Sequence, residues 1–575
     1  MLNNPKEQVL TPANFDPVTM EVFSNRLLSI TEDMAIHMMR SSFSAQIKER
    51  RDFSVGLFDA QGRMIAQGTH VPLHLASLIG SMEAVLKQFP TDVFSDGDAF
   101  ICNDPYLSGG SHLPDISIIS PTFWDGQLVG FMANIGHHSD VGGSVPGSTS
   151  AMSKTLFEEG IRIPAIRIAH KGVIDDNVLR LIATNSRLSE ERILDLNVQI
   201  LTNQRGATSF RRMLDQNGLQ AVRAGIESIL QYTSARLANR IRELATGRHS
   251  FVTYLDDDGY GGDQVSIKAT VEKIGDELVI DFEGTGKQAR GAVNVPINAV
   301  RATVYYCVKA LLDPDLMPNS GMFDGIKIKA PQGSIVNPTF PAAVGARSIT
   351  AQKIAGAIFG AFRGLLSDRR IMASNNDVLP SILFSGIRDD RSIFVCGETL
   401  GGGSGALNDL DGMDAIHVHC TNTLNMPIEA LEYEFPLRVD EYALVEGSGG
   451  SGRQRGGLGI ARQFRALKDD TMVSCRSDSH KRGAEGAEGG GFGGVARLIR
   501  DHGMPNEREL ASKVAGVLLN AGETIRIETA GGGGFGPAIS RSPELILADL
   551  KDGMMSREQA AHDYGAEKVE AALGL

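Results

Sequence analysis

Residues 111–140 read SHLPDISIISPTFWDGQLVGFMANIGHHSD. Asp125-Gly126 is a favoured two-residue hairpin turn, and the runs on either side of it, 116–123 and 128–135, are rich in β-branched and aromatic residues. Closing the hairpin at that turn sets Asp115 opposite Gly136 and returns His112 to the neighbourhood of residues 137–140. An antiparallel pair therefore lies near the middle of the first half of the chain, with a cluster of polar residues at its open end.

Working outward, Asp16-Pro17 reads as a helix N-cap followed by a first-turn proline, and Phe23, Leu27, Ile30, Met34 and Met38 continue at helical spacing. Phe53, Val55 and Leu57 alternate, Asp59 to Gly62 turns, and Met64 and Ala66 resume the alternation as a second hairpin. A helix is expected around 75–89 and a strand over 99–102. From 174 to about 247 the pattern is helical, with Leu194, Leu196 and Ile200 on one side. Strands return in VSIKATVEKI and ELVIDFEG, residues 350–366 read as one buried helix, and two short helices are expected from Pro543. Blocks of strands and helices without βαβ alternation favour an α+β fold, multi-lobed, with mixed or antiparallel sheets and packed helices. The expected division is an N-terminal lobe over 1–247, a C-terminal α+β lobe over 248–542 that is glycine-rich near its end, and a helical tail over 543–575.

The 575 residues can bury at least one large core. A net charge of −13 argues against a broad nucleic-acid or anionic-membrane surface. The first residues lack a signal pattern and no apolar run has the length of a spanning helix, so a cytoplasmic protein is expected. Five scattered cysteines without a CxxC pair suggest neither a disulfide framework nor a thiolate zinc site. Glycine concentrates in GSGGSGRQRGGLG (447–459), EGGGFGG (488–494) and AGGGGFG (530–536); such backbone can cradle an anion, and tight turns between short strands are the expectation there. No phosphate loop, dinucleotide fingerprint, GxSxG elbow or HExxH is present, so any ATP used is expected on another chain.

His112, Asp115 and a returning His137 supply two imidazoles and a carboxylate, a set that suits a divalent ion such as zinc or manganese and leaves coordination positions open. Such an ion can polarise a carbonyl or lower the pKa of a coordinated water. Alternatively the histidines cap strand ends. Adjacent strand residues face opposite sides, so His137 and His138 exchange roles on a one-residue slip of register. Asp52 is a further ligand candidate, and Glu49 a base or an orienting partner, unless both pair with Arg50 and Arg51. His70 and His74 are candidates for a substrate pocket. His417 and His419 alternate along an expected strand.

The segments ERRDFSVGLFDAQGRMIAQGTHVPLHLAS, NDPYLSGGSHLPDI, GHHSDVGG, FEEGIRIP and PNSGMFDGIKIKAPQGSIVNPTFPAAV, with the terminal glycine clusters, carry a resemblance over nearly the whole chain to the hydantoinase B and oxoprolinase family. That family takes in N-methylhydantoinases, 5-oxoprolinases, caprolactamase and the related ketone carboxylases. The resemblance implies a hetero-oligomer in which a hydantoinase A/oxoprolinase-type ATPase subunit, holding ATP and magnesium, phosphorylates the substrate, and this chain's metal site delivers water to it. It places the metal ligands on His112, Asp115 and His137, with Asp52 as a fourth. The implied activity is hydrolysis of a cyclic amide such as a lactam, hydantoin or 5-oxoproline, and the residues themselves suggest His138 or Glu49 for moving protons. The alternatives are a subunit of an ATP-dependent ketone carboxylase of the acetone or acetophenone type, and a non-catalytic scaffold stabilised by its metal.

Overall fold

The computed structural model describes residues 16–574 apart from Thr69 and residues 367–370. Among the described residues are twelve α-helices and twenty strands in four sheets, an α+β arrangement as expected. The first sheet takes in β1 (Phe53–Asp59), β2 (Met64–Gln67), β3 (Ala99–Cys102), β4 (Asp115–Trp124), β5 (Gln127–His137), β6 (Ile166–His170) and β7 (Val173–Ile174), in the order β2-β1-β5-β4-β3-β6-β7. The long helix α1 (Pro17–Ser41) begins where expected: the Asp16 carboxylate accepts from Val18 N and Thr19 N, and Phe23, Leu27, Ile30, Met34 and Met38 are all buried. It packs on one face of this sheet with α5 (Ser189–Asn217), which follows the short α2 (Ala45–Lys48), α3 (His74–Gln88) and α4 (Asp176–Thr184) in sequence. Leu196 and Ile200 of α5 are buried, whereas Leu194, expected beside them, is exposed.

α6 (Leu219–Arg242) closes the helical segment, and β8 (Arg248–Leu255) opens a second sheet with β9 (Val265–Ile274), β10 (Glu277–Asp281) and β11 (Ile326–Lys329). Between the two sheets lie α3, α7 (Ile297–Leu312) and α8 (Arg347–Phe362). The first sheet is thus covered on both faces. That is why every residue of β1 is buried, including those between the alternating apolar positions. The largest apolar core fills the space around these three helices and draws on residues from Phe58 to Cys420, on both sides of residue 248.

The rest of the chain forms β12 (Ser381–Ile387), β13 (Ile393–Thr399), α9 (Ile428–Glu434), β14 (Leu437–Leu444), β15 (Ile460–Ala466), β16 (Thr471–Arg476), β17 (Arg497–Arg500), β18 (Arg508–Leu510), β19 (Lys513–Leu519) and β20 (Thr524–Glu528). They make two sheets, β13-β12-β16-β19 and β14-β15-β20-β17-β18, with a shared core. Three helices, α10 (Pro543–Lys551), α11 (Arg557–Tyr564) and α12 (Ala566–Leu573), end the chain where two were expected, because Gly565 breaks the second at a left-handed φ of 94°. No described helix is long and apolar enough to cross a membrane.

The glycine segments depart from expectation. Only Gly447, Gly489 and Gly536 among them have a left-handed φ. Gly531–Gly534 form neither strand nor turn. They run through a lattice of backbone hydrogen bonds: Gly531 N to Gly494 O at 3.1 Å, Gly532 N to Gly457 O at 2.9 Å, Gly533 N to Ser374 O at 2.9 Å and Gly534 N to Gly491 O at 3.0 Å. A Cβ on Gly531 or Gly532 would stand 1.8 Å from a carbonyl oxygen of another segment. These glycines serve close approach of backbone to backbone, not reversal of the chain.

Candidate metal centre

The β4–β5 hairpin turns at Asp125-Gly126, with φ of 48° and 71°, and pairs Trp124 with Gln127 and Phe123 with Leu128 as the turn dictates. A bulge then intervenes: Thr122 faces Gly130, so Val129 is left over and all later pairs shift by one. Asp115 consequently faces His137, not Gly136. The bulge resolves the choice between the two adjacent histidines. His137 shares a face with Asp115, while His138 turns to the opposite face and meets Gln199 of α5, Nε2 to Oε1 2.9 Å.

Three side-chain atoms converge at the open end of the hairpin. His112 Nε2 and His137 Nδ1 each lie 3.0 Å from Asp115 Oδ1, and 3.2 Å from each other. Atoms held at roughly 2.1 Å from one ion are themselves roughly 3.0–3.4 Å apart, so this triangle fits the donor set of a divalent cation. These are also the described His, Cys, Asp and Glu residues whose ligand atoms cluster closely enough to hold a metal. Asp115 keeps Oδ1 for the triangle because Oδ2 is engaged by Ser111 Oγ at 2.5 Å and by the Arg347 guanidinium at 2.6 Å. His112 Nδ1 lies 3.2 Å from the carbonyl of Gly345, which suits an Nδ1–H tautomer with the Nε2 lone pair directed at the triangle. Burial, reinforced by Arg347, holds His112 well below the usual imidazole range and therefore neutral. Burial works against the ionised form of Asp115, but the Arg347 guanidinium and the donors around the carboxylate outweigh it and hold that carboxyl well below its usual range.

Asp52 extends this set along the sheet. β1 pairs with β5 so that Phe53 faces Gly136, and His137 N donates to Asp52 O at 2.9 Å, which sets Asp52, His137 and Asp115 abreast on three strands. The Asp52 carboxylate lines the same cavity, outside the triangle. His74, the first residue of α3, also enters: Nε2 is 3.8 Å from both Asp52 Oδ1 and Asp115 Oδ2, and Nδ1 is 3.1 Å from Ser54 Oγ.

The other expected residues lie elsewhere. His138 is on the far face, as the alternation of strand side chains requires. Glu49 follows α2, is partly exposed and lies 3.8 Å from Lys48 Nζ, outside the cavity. His70 lies against Phe53, ring centroids 4.9 Å apart and the planes tilted by 34°, and lines a neighbouring cavity of about 1060 Å³, which shares Val71 and Thr421 with the cavity of the donor triangle and is walled by Tyr305, Tyr306, Leu316 and Met317. His417 and His419 do not lie on a strand. His419 sits at a φ of 57° with Nε2 2.7 Å from Asp377 Oδ1, and it lines the larger cavity.

Three arginines lining the cavity of the donor triangle, Arg50, Arg347 and Arg476, were not singled out as site residues. Arg347 stands alone as a cation in the apolar run AAVGARSITA, and Arg476 ends the strand TMVSC. A lone charge in an otherwise buried segment was the available signal.

The Hydantoinase B/oxoprolinase family profile matches residues 16–538. A protein of Pseudomonas sp. (strain NS671), named as the putative B-type component of a D-/L-hydantoinase, is 31% identical over 96% of this chain and 95% of its own length. The 5-oxoprolinase 1 of Arabidopsis thaliana is 32% identical over 91% of this chain, which spans 42% of that protein. Among solved structures, the ATP-dependent caprolactamase of Pseudomonas jessenii superposes with a TM-score of 0.88 at 27% identity, over 96% of both chains. An acetone carboxylase superposes with a TM-score of 0.86 at 18% identity, over 96% of this chain and 79% of that one, a likeness of fold.

Proposed function

Because the chain belongs to the hydantoinase B/oxoprolinase family, we propose that it is the metal-dependent hydrolytic subunit of an ATP-dependent cyclic amide hydrolase, acting on a carbonyl phosphorylated by a hydantoinase A/oxoprolinase-type partner. The observation that carries this reading is the buried triangle of His112 Nε2, Asp115 Oδ1 and His137 Nδ1. A bound divalent cation such as zinc or manganese supplies Lewis acidity and brings water within reach of deprotonation near neutral pH. The chain's own residues set the conditions. Gly345 fixes the His112 tautomer, Arg347 and Ser111 hold one oxygen of Asp115 so that the other faces the donors, and Asp52 adds a second carboxylate to the same wall.

An amide carbonyl is a poor electrophile, and transfer of the γ-phosphoryl group of ATP to its oxygen on the partner subunit makes an imidate phosphate. Water adds to the imidate carbon, the ring C–N bond breaks with a proton passing to nitrogen, and a second water releases phosphate from the acyl phosphate. Two waters and one ATP are consumed for one amino acid, ADP and phosphate. The proton-handling role expected of His138 or Glu49 falls in this scheme to His74, whose Nε2 faces both Asp52 and Asp115. The larger cavity beyond Val71 and Thr421, with its aromatic and aliphatic walls, suits the body of the ring substrate.

The test is turnover by the complex of this chain with its ATPase partner on 5-oxoproline, hydantoins, caprolactam and simple ketones, with ATP and with or without bicarbonate. Ring opening that requires ATP but not bicarbonate is expected, and His112→Ala and Asp115→Asn should lose metal and turnover while staying folded. Full activity in either variant would sink the site. Ketone turnover dependent on bicarbonate would transfer the chain to carboxylation.

A further inference from the structure

The cavity beside the donor triangle carries more positive charge than the triangle calls for. Two carboxylates, Asp52 and Asp115, line it against three guanidiniums, Arg50, Arg347 and Arg476, and all three arginines are at most 5% exposed. Arg347 is paired with Asp115. Arg50 donates to Gln46, to the carbonyl of Gly397 at 2.9 Å and to Thr399 at 2.6 Å; its nearest carboxylate, Glu398 at 4.0 Å, is already paired with Arg462. Arg476 donates to the carbonyl of Gly345 at 2.8 Å. Burial, and then the like charges of Arg347 and Arg50, push Arg476 down to about 10. Three cations are thus held together where the protein's own anions do not balance them.

The donors left over point the same way. Nε of Arg50, Arg347 and Arg476, Oγ1 of Thr149 and Oγ of Ser348 are all buried, all belong to residues lining this cavity, and none makes a hydrogen bond to the protein. Leaving one such group unpaired costs about 1–3 kcal/mol, so five on one small cavity mark a surface shaped for acceptor atoms. Arg347 and Ser348 are also the first two residues of α8, whose N-terminal partial charge favours an anion. The free volume is about 40 Å³. At roughly 10–15 Å³ per water this is space for about three waters, the scale of the oxygens of one phosphoryl group and not of a substrate ring.

We infer that Arg50, Arg347 and Arg476, with Ser348 and Thr149, form a subsite for a doubly charged tetrahedral oxyanion, the phosphoryl group of the activated substrate, seated beside His112, Asp115 and His137. The inference rests on the proposed hydrolase for the identity of that group. It also completes it: the phosphoryl group stays on the substrate until the last hydrolytic step, so a fixed seat for it keeps the reacting carbon beside the donors in both additions of water. Planar guanidiniums suit this task, since each offers paired N–H groups to two oxygens.

The test is calorimetric titration of the full chain with inorganic phosphate at a pH of about 8, where phosphate is dianionic, and with bicarbonate for comparison. Saturable phosphate binding is expected, weakened about tenfold or more in Arg476→Gln and partly restored in Arg476→Lys, with metal content and circular dichroism unchanged. Equal affinity in wild type and Arg476→Gln, or no saturable binding, overturns the subsite. Bicarbonate binding more tightly than phosphate overturns the dianion assignment. If Arg476→Gln does not fold, Arg476→Lys carries the comparison, because it keeps the charge and loses the fork. In the complex with the ATPase, phosphate should inhibit turnover, and Arg476→Gln should need about tenfold more phosphate for the same fractional inhibition; equal sensitivity in the two would overturn the subsite. The titration reads binding and not turnover, so arginine-dependent phosphate binding in a chain that proves inactive on amides would refute the hydrolase and leave the subsite standing.

Discussion

The β4–β5 hairpin, at its open end, and the segment Gly531–Gly534 are both buried, yet they are specified in opposite ways. In the hairpin the information lies in side chains: the bulge at Val129 selects His137 over His138, and the paired strands bring Asp115 and His137 together. In the glycine segment the information lies in the lack of them, since backbone from three other segments packs where a Cβ would be. Even the glycines differ between the two. Gly126 is needed for its φ of 71° and has open space where a Cβ would go, whereas Gly532 has no left-handed φ and no room. The same residue type thus answers a torsional demand in one region and a steric one in the other.

The largest effect that could break this comparison is expected at Gly532→Ala. Its Cβ would stand 1.8 Å from the carbonyl oxygen of Ser404, and backbone cannot yield as a flexible side chain does. We expect a loss of about 3 kcal/mol or more, read as a fall in denaturation midpoint or as insoluble protein. An unchanged midpoint would show that the lattice can open. In the hairpin, Asp115→Ala should cost about 3 kcal/mol, because it strands the Arg347 guanidinium in the interior, and should abolish metal binding measured by mass spectrometry. Metal removal by a chelator should lower the thermal midpoint of the wild type by the equivalent of about 2.7 kcal/mol when free metal stood at about 100 times its Kd, and should leave His112→Ala unmoved. Gly126→Ala should cost only about 1–2 kcal/mol, the penalty of a left-handed conformation with nothing to collide with.

A further effect concerns pH. Burial raises the Glu159 carboxyl to about 8, although it accepts from Val344 N and Gly345 N, the segment whose carbonyl partners His112. The unfolded chain releases that proton near the ordinary value of 4.5 and the folded chain near 8. The unfolded state therefore binds fewer protons between those values, and this group's contribution to stability is full below the lower pH and lost as pH rises through the higher. Glu159→Gln should flatten that part of the stability profile in denaturation curves taken across the window. A slope identical to wild type would refute the assignment.

The two regions also differ in what their sequence disclosed. The hairpin turn, the α1 face and the His112–Asp115–His137 cluster were legible because periodicity and turn chemistry act between residues close in sequence. The one-residue offset was not, since a bulge such as that at Val129 leaves no residue-type signature. His74 was legible only as a pocket candidate, because its approach to Asp52 and Asp115 depends on how α3 packs on the first sheet. Arg50 was read only as a possible ion-pair partner of Asp52 or Glu49 and Arg476 not at all, because their meeting depends on the sheets of the two halves closing on each other. The glycine lattice was misread for the same reason: a run of glycines announces its freedom but not the neighbours that forbid a side chain.

That closure has a consequence for synthesis. The donors at 112, 115 and 137 leave the ribosome long before Arg476, and the cavity is walled by Ser381, Thr399 and Arg476 of β12, β13 and β16. A nascent chain holding only the first sheet presents its histidines and carboxylates to solvent, able to meet an ion but without the cover that restricts what else reaches it. The proposed centre is therefore completed late in translation, and a chain truncated before β16 would carry the three donors without the wall that Arg476 closes.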